Sequence, residues 1–247
     1  MSQRTFIHGF HAVMSRLRHH PESLHVIYLD EGRRDRRARD LIELAQARGV
    51  RLIQTDAARV DDMAHGKSQG VVALADPVRL ARDLDEVLDH LTEPALLLIL
   101  DGVTDPHNLG ACLRSAGAFG AHAVLAPKDR AASLNATAIK AASGAADLVP
   151  YLPVTNLART LRTLQARDIL IVGTDQDGSM SVSEADLSGP VALVLGAEGS
   201  GLRRLTREHC DLLVRIPMQG QIESLNVSVA AGVCLYETRR QRARVTV

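Results

Sequence analysis

The sequence is poor in aromatic residues, which make up 2% of its 247 residues, and it has no tryptophan. Aromatic rings are the surfaces on which unpaired nucleic acid bases stack. If the chain binds nucleic acid, base stacking is therefore not its main source of affinity. The interior has to be packed from alanine, valine, leucine and isoleucine, and a hydrophobic content of 46% in a chain of this length is enough for a substantial core.

The chain also lacks a long hydrophobic run. The longest one, Ala95 to Leu100, is far too short to cross a bilayer, and Met1 to Phe6 contain no apolar region of the kind that signal peptides carry. Cys112, Cys210 and Cys234 lie far apart and match neither a disulfide framework nor the Cys/His spacing of a metal site. These absences predict a soluble cytoplasmic protein with reduced cysteines and no metal.

The net charge is zero, but the positive charge is unevenly distributed, and arginine outnumbers lysine 26 to 3. Local patches, rather than the total charge, set the field that a phosphate backbone meets. Solvated helix faces in an arginine-rich chain would give the same pattern, so a structural interpretation stays open for both of the clusters found here, and it is favoured for the second. The clusters are Arg33, Arg34, Arg36, Arg37 and Arg39, and Arg239, Arg240, Arg242 and Arg244.

Hydrophobic periodicity divides the chain into two α/β parts. Residues 1–76 predict helices at 11–19 and 36–48 and strands at 24–29, 50–54 and 71–75. Residues 77–93 are polar and acidic between two prolines, which predicts a linker with a short helix. Residues 94–247 alternate apolar strands with helices, which indicates a parallel sheet covered on both faces. The strands are predicted at 95–100, 122–126, 147–151, 169–173, 191–196 and 212–217, and a last helix at 225–242.

Three segments of the second part carry isolated polar groups. In the first, residues 105–120, Asn108 is suited to cap a helix that begins at Leu109. Arg114 is the only fixed charge between Asp105 and Lys128, and a guanidinium is costly to bury among small apolar residues unless it meets an anion. That anion could be a carboxylate elsewhere in the fold or a group on a ligand.

The second segment, residues 193–202, is a strand that runs into a glycine-rich turn. Glycines let a backbone approach a ligand closely and expose its N–H groups. The spacing of Gly196, Gly199 and Gly201 is not GxGxxG, which disfavours a dinucleotide site. Glu198 is the only charge between Asp186 and Arg203, so it is a candidate partner for Arg114 or for a substrate hydroxyl.

The third segment, residues 216–232, joins a strand to an apolar helix. An ordinary N-cap would explain either Ser224 or Asn226. It does not explain Glu223, Ser224, Asn226 and Ser228 together at the start of an otherwise apolar helix, so a functional site is favoured.

Taken in order, these three segments resemble the three motifs of the SpoU family, in the SPOUT superfamily, of S-adenosylmethionine-dependent RNA 2′-O-ribose methyltransferases. The resemblance covers the chain from about Pro94 to the C-terminus. Two N-terminal strings, residues 7–13 and 68–71, are similar to the ends of the small RNA-binding domain in one branch of the family. That branch methylates a guanosine in the peptidyl-transferase loop of 23S rRNA.

The resemblance implies a fold that composition could not reveal. It implies an α/β domain at 94–247 whose parallel sheet contains a deep trefoil knot, preceded by a small L30e/L7Ae-like α/β domain that binds RNA. It further implies a homodimer in which the partner completes the catalytic site, with 23S rRNA or its assembly precursor as substrate and with neither metal nor membrane involved. RNA-binding residues are then expected at His11, Arg33, Arg34, Arg36 and Arg37.

The family motifs also imply roles for individual residues. Arg114 would be the central catalytic residue, and because a guanidinium has a pKa above about 12, stabilisation of the forming alkoxide is a better-founded role for it than that of a base. Asn108, Glu198, Ser224 and Asn226 would surround it. S-adenosylmethionine would bind to Thr174, Gly196, Glu198, Ile216, Met218 and Leu225.

Two alternatives remain at this stage. One is a tRNA ribose 2′-O-methyltransferase, which the N-terminal α/β part disfavours. The other is a non-catalytic rRNA-binding assembly factor, which the presence of Asn108, Arg114, Glu198, Ser224 and Asn226 disfavours.

Overall fold

A computed structural model describes residues 4–64, 66–76, 81–220 and 224–245. The chain forms two compact units, Met1–Leu80 and Ala81–Val247. Within the predicted linker, residues 81–93 belong to the second unit, and Val87 packs into its core beside Leu97. Residues 77–80 lie outside the described part. The functional division into 1–76, 77–93 and 94–247 therefore stays a prediction.

The N-terminal unit is a four-stranded sheet of order β1-β4-β2-β3 with helices packed on it. Strands β2 and β3 are parallel, whereas β4 runs antiparallel to β1 and β2. The short strand β1 was not predicted, since its four residues contain no clear alternation of apolar and polar positions. The elements are β1 Thr5–His8, α1 Phe10–His19, β2 Leu24–Asp30, α2 Arg36–Ala47, β3 Leu52–Thr55, α3 Ala57–Met63 and β4 Val71–Ala75.

The C-terminal unit contains a seven-stranded sheet of order β7-β6-β5-β10-β8-β11-β9, and every pairing in it is parallel. The predicted α/β class with a parallel sheet is thus confirmed. The elements are α4 Leu84–Leu88, β5 Leu96–Asp101, α5 Pro106–Ala118, β6 Ala123–Pro127, α6 Ala136–Ala142, β7 Tyr151–Val154, α7 Leu157–Gln165, β8 Leu170–Thr174, β9 Met180–Ser181, β10 Val191–Gly196, α8 Arg204–Glu208, β11 Leu212–Arg215 and α9 Val227–Val245.

Strand β5 shows why this sheet is buried on both faces. Its six residues are all buried, and successive side chains point to opposite faces. Leu98 and Leu100 pack with α5, α6 and α9, whereas Leu97 and Ile99 pack with α4 and α7. A strand enclosed in this way carries no polar side chain until its last residue, Asp101.

The cysteines contribute to these cores as free thiols. Cys112 and Cys234 are buried in the core between the sheet and α5, α6 and α9, and Cys210 is half-buried on the other face. Burial raises the pKa of each of the three thiols to about 12, so they are protonated and unreactive at neutral pH.

Two elements of the second unit begin three or more residues away from their predicted starts. The strand predicted at 147–151 was wrong: Ala145–Asp147 form a 3₁₀ turn, and β7 begins only after Pro150. Pro153 is tolerated within β7 because this strand lies at the edge of the sheet, where a missing N–H breaks no ladder.

The helix predicted to begin at Leu109 begins instead at Pro106. Its N-cap is Asp105, whose side chain accepts a hydrogen bond from the His107 N–H, and proline is favourable at the first helical position. Asn108 is therefore not a cap. Its side chain is available for a contact outside the helix.

Candidate active site

A cavity of about 350 Å³ lies at the carboxyl ends of the neighbouring strands β10, β8 and β11. Parallel strands end at the same edge of a sheet, so the loops that follow them converge there. Thr174 ends β8, Gly196 ends β10, and Ile216 follows β11. The six residues predicted to hold the cofactor all line this cavity: Thr174, Gly196, Glu198, Ile216, Met218 and Leu225.

The glycine-rich turn after β10 forms one wall of the cavity. Ala197 and Gly201 form an isolated antiparallel bridge in which the Gly201 N–H donates to the Ala197 carbonyl over 2.9 Å. Gly199 and Gly201 have φ angles of +79° and +64°, a region that other residues rarely adopt. At Gly196, a Cβ atom would overlap the carbonyl of Gly201. The turn therefore needs glycine at these positions in order to fold back on itself.

Glu198 joins the three segments through one carboxylate oxygen. Its Oε1 accepts hydrogen bonds from the Asn226 Nδ2 over 2.7 Å, from the Asn108 Nδ2 over 3.2 Å and from the Val227 N–H over 3.4 Å. The Asn226 Nδ2 also donates to the Asn108 Oδ1 over 2.9 Å. Asn108 thus meets Glu198, which is 90 positions away in the chain, and Asn226, which is 118 positions away, at the carboxyl ends of the strands.

Asn226 is held in this orientation from its other side. Its Oδ1 accepts hydrogen bonds from the Ser228 N–H over 2.9 Å and from the Ser228 hydroxyl over 2.6 Å. Asn226 therefore stabilises the start of α9 and presents its amide to Glu198 at the same time. Ser224 is exposed and lines the cavity, whereas Glu223 lies outside the described residues.

Arg114 does not join this network. Its side chain is exposed on α5, and within the described ranges no hydrogen bond or ion pair of its guanidinium is found. Of the partners that the sequence left open for Arg114, neither Glu198 nor another described carboxylate pairs with it, and its side chain is exposed rather than buried. Its apolar neighbours in sequence reflect the packing of the other faces of α5, where Cys112, Leu113 and Ala116 are buried.

Sequence reasoning missed part of the cavity. Asp175, Gln176 and Asp177 line it directly after β8, and Arg207 reaches it from α8. The Arg207 Nη1 lies 2.8 Å from the Asp175 Oδ2. An acidic residue at the carboxyl end of a buried strand is a usable signal for Asp175, but Arg207 resembles the other arginines of its segment.

Asp101 is a second missed residue. It ends β5 beside Gly196, and its side chain is fully buried. Its Oδ2 accepts the Arg203 N–H over 2.9 Å, and its Oδ1 lies 3.5 Å from the Arg203 Nε. A buried carboxylate thus fixes the residue that follows the glycine-rich turn.

The first arginine cluster and His11 lie on the N-terminal unit. His11, Arg34, Arg36, Arg37 and Arg39 are exposed, whereas Arg33 is half-buried with its guanidinium 4.8 Å from the centre of the Phe10 ring. The tail cluster is different, because Arg239, Arg240 and Arg242 are bound to carboxylates or backbone carbonyls. The sequence favoured a solvated helix face for the tail, and this was wrong for these three residues, because their guanidinium groups bind protein acceptors instead of water.

The described residues contain no group of three or more histidine, cysteine, aspartate or glutamate side chains that could hold a metal ion. They also contain no helix that is both long enough and apolar enough to span a membrane.

Comparison with known proteins gives two family matches. Residues 95–236 match the SpoU rRNA Methylase family, and residues 6–81 match the family of RNA 2′-O ribose methyltransferase substrate binding domains. The chain is 57% identical to the 23S rRNA (guanosine-2′-O-)-methyltransferase RlmB of Ralstonia nicotianae, over 99% of both chains.

Solved structures agree with these matches. A crystal structure of an RNA 2′-O ribose methyltransferase has a TM-score of 0.75 and 30% identity, covering 98% of this chain and 90% of that one. The SpoU methyltransferase AviRb from Streptomyces viridochromogenes, in complex with the cofactor AdoMet, has a TM-score of 0.72 and 28% identity, with coverages of 98% and 91%.

Proposed function

Because the chain belongs to the SpoU rRNA methylase family, we propose that it transfers a methyl group from S-adenosylmethionine to the ribose 2′-hydroxyl of a guanosine in 23S rRNA. The observation that carries the proposal is the convergence of Asn108, Glu198 and Asn226 beside the cavity, since three distant segments with the family's motifs meet there. We place this guanosine in the peptidyl-transferase loop, because the N-terminal strings resemble the branch of the family that modifies that loop.

The cavity fits S-adenosylmethionine by its chemistry. One wall is apolar, with Leu195, Ile216, Val227 and Ala230, and suits a purine ring. Carboxylates at the cavity suit the positive sulfonium and ammonium groups. When bound, the cofactor supplies the methyl group. Thr174, Gly196, Glu198, Ile216, Met218 and Leu225 would hold it, largely through backbone groups at the strand ends.

Around the acceptor, the polar side chains have separable roles. Asn108, Ser224 and Asn226 would position the ribose, while the carboxylate of Glu198 holds the two amides in place. Arg114 would contact the phosphate and stabilise negative charge as it develops on the 2′-oxygen. Its exposure, and the lack of a protein partner among the described residues, support a role towards RNA.

Replacing Arg114 with alanine tests this role. We expect kcat for rRNA methylation to fall at least about 100-fold, because one preformed electrostatic contact to the reacting oxygen is lost. The affinity for S-adenosylhomocysteine, measured by calorimetry, should not change. Arg114→Lys is the matched variant and should recover part of the activity, since it restores the charge without the planar fork. Equal loss of methylation and of cofactor affinity would show that Arg114 is structural.

The substrate is tested by mapping ribose methylation on total RNA from cells that lack the protein. One guanosine in the peptidyl-transferase loop should lose its methyl group, and the wild-type gene but not Arg114→Ala should restore it. Loss of a tRNA methylation instead would favour the tRNA alternative. Unchanged methylation together with a defect in ribosome assembly would favour the non-catalytic alternative.

The N-terminal unit, with the predicted division 1–76, is proposed as the RNA-binding domain. Its match to a family of substrate-binding domains supports this assignment. His11, Arg34, Arg36 and Arg37 are exposed and could reach a phosphate backbone, while Arg33 is partly engaged by Phe10 and Asp35.

A homodimer and a cytoplasmic location are also proposed. Exposed apolar residues on α9 support the dimer: Val229 is 50% and Tyr236 is 57% exposed, and seven residues place both on one side of a helix. Analytical ultracentrifugation tests this assignment. The trefoil knot that the family resemblance implies stays a prediction.

A further inference from the structure

The cofactor cavity contains an ion pair that the proposed reaction does not use. Arg207 projects from α8 to the cavity, where its Nη1 lies 2.8 Å from the Asp175 Oδ2. The Asp175 side chain is 13% exposed and that of Arg207 is 46% exposed. The carboxylate is therefore nearly enclosed, whereas the Arg207 side chain, which lines the cavity, keeps nearly half of its surface exposed.

Asp175 is fixed independently of Arg207. Its Oδ1 accepts the Asp177 N–H over 2.9 Å, and its own N–H donates to the Val214 carbonyl over 2.9 Å, which ties the loop after β8 to β11. Asp175 can thus orient Arg207 without moving. A guanidinium has five N–H donors, so one ion pair leaves others that can bind a second anion.

Among the described residues that line the cavity, negative side chains outnumber positive ones. Among the described lining residues, the carboxylates are Asp175, Asp177 and Glu198, and Arg207 is the one cation. S-adenosylmethionine has the complementary pattern, with positive sulfonium and ammonium groups and a single carboxylate. If the cofactor occupies this cavity, Arg207 is the one cationic side chain among these residues that its carboxylate can bind.

We propose that Arg207 is a cofactor-specificity residue that binds the carboxylate of the amino-acid portion of S-adenosylmethionine. This inference rests on the proposed function. Asp175 is the positioning residue of Arg207. Arg207 would then distinguish ligands that carry the amino-acid portion from nucleosides that lack it.

The test compares two thioether ligands that differ in that portion. S-adenosylhomocysteine carries the amino acid, and 5′-methylthioadenosine keeps the adenosine and the sulfur but lacks it. Binding of each ligand to the full-length protein is measured by calorimetry. In Arg207→Gln we expect the affinity for S-adenosylhomocysteine to fall about tenfold or more, as for loss of one charge-assisted hydrogen bond at a half-exposed site. The affinity for 5′-methylthioadenosine should not change.

Arg204→Gln is the matched control. Arg204 lies on the same helix, is 82% exposed, pairs with Glu208 and does not line the cavity. This variant should bind both ligands like the wild type. Arg207→Lys should keep more of the affinity for S-adenosylhomocysteine than Arg207→Gln does, because it retains the charge. Thermal unfolding of all variants checks that α8 stays folded.

Two results would overturn the inference while leaving methyl transfer intact. Equal loss for both ligands in Arg207→Gln would mean that the ion pair shapes the cavity or contacts the nucleoside. No loss for either ligand would mean that the ion pair only ties the two loops together. Failure of the wild-type protein to bind S-adenosylhomocysteine would instead refute the proposed function, and the inference with it.

Discussion

The two arginine clusters look alike in the sequence, but four of the five arginines in the first are exposed, whereas Arg239, Arg240 and Arg242 of the second are bound to protein acceptors. In the first cluster, Arg36 is 89% exposed and its Nε lies 3.9 Å from Asp40, a weak contact one helical turn away. For Arg34, Arg37 and Arg39, the described part of the chain offers no side-chain partner. In the tail, Arg239 donates to both oxygens of Glu93 and to the carbonyls of Phe119 and Gly120.

The tail arginines stabilise loops that are distant in sequence. Arg242 donates to the carbonyls of Pro94, Ala95 and Gly189, so it binds the segment just before β5 and the one just before β10. Arg240 binds Glu237 on its own helix. A run of arginines is therefore available for phosphate binding only where the fold leaves the guanidinium groups without carbonyl and carboxylate acceptors.

The largest expected effect is on stability. Arg239→Met should lower the free energy of unfolding by about 2–3 kcal/mol, because it removes two hydrogen bonds to the Glu93 carboxylate, which keeps its contact with His122, and one to each of two carbonyls. Arg36→Met, the matched change in the first cluster, should cost at most about 0.5 kcal/mol. Urea denaturation of both variants measures the difference. Equal urea midpoints for Arg239→Met and Arg36→Met would show that the two clusters do not differ in their contribution to stability.

The second expected effect is on RNA binding. Arg36→Gln with Arg37→Gln should weaken binding to a fragment of the 23S peptidyl-transferase loop about tenfold and lower the salt-dependence slope by about 1.5 to 2, since two phosphate contacts are lost. Filter binding at several salt concentrations measures both. Arg240→Gln removes a guanidinium from the tail and should leave the slope unchanged. A smaller slope in Arg240→Gln alone would reverse the assignment of the clusters.

The smallest expected effect is on the pH dependence of stability. Hydrogen bonds from Arg239 lower the pKa of Glu93 to about 2 against the opposing effect of burial. A carboxyl group with a lowered pKa in the folded state stabilises it above the pKa of the unfolded chain, and this contribution is lost as the pH falls from about 4.5 to 2. Wild-type stability should therefore fall more steeply in this range than that of Arg239→Met.

Urea denaturation at pH 6 and pH 3 measures this difference. It should be smaller than the whole effect of Arg239→Met, because the Glu93 side chain is 43% exposed and partly screened by water. If the stability of the wild type and of Arg239→Met changed with pH in the same way, the pair between Glu93 and Arg239 would not contribute to the pH dependence.

Most of the fold followed from local signals. Buried strands such as β5 and β10 are continuous apolar runs, and these were predicted within one or two residues. The two-residue strand β9 and the five-residue helix α8 are too short to show a period. Strand β7 was misplaced because the apolar residues before Pro150 belong to a turn that packs on α5.

Only part of the candidate site could be predicted from the sequence. Glycine spacing and isolated polar residues located the three segments, and the cavity that the second and third of them help to line contains every residue predicted for the cofactor. Arg207 was missed because its ion pair with a residue 32 positions away leaves no local pattern, whereas the position of Asp175 directly after β8 is a local signal that was overlooked. Arg114 was placed correctly on a helix, but its exposure could not be read from the apolar residues beside it.

The alternation of strands and helices, the glycine-dependent turn and the family could all be predicted from the amino-acid sequence, since each depends on residues that are neighbours in the chain. Which arginines are bound, and which carboxylates face the cavity, became clear only from the folded chain. Charged side chains find their partners where strand ends and helix termini meet, and these meeting points depend on the order of strands in the sheet.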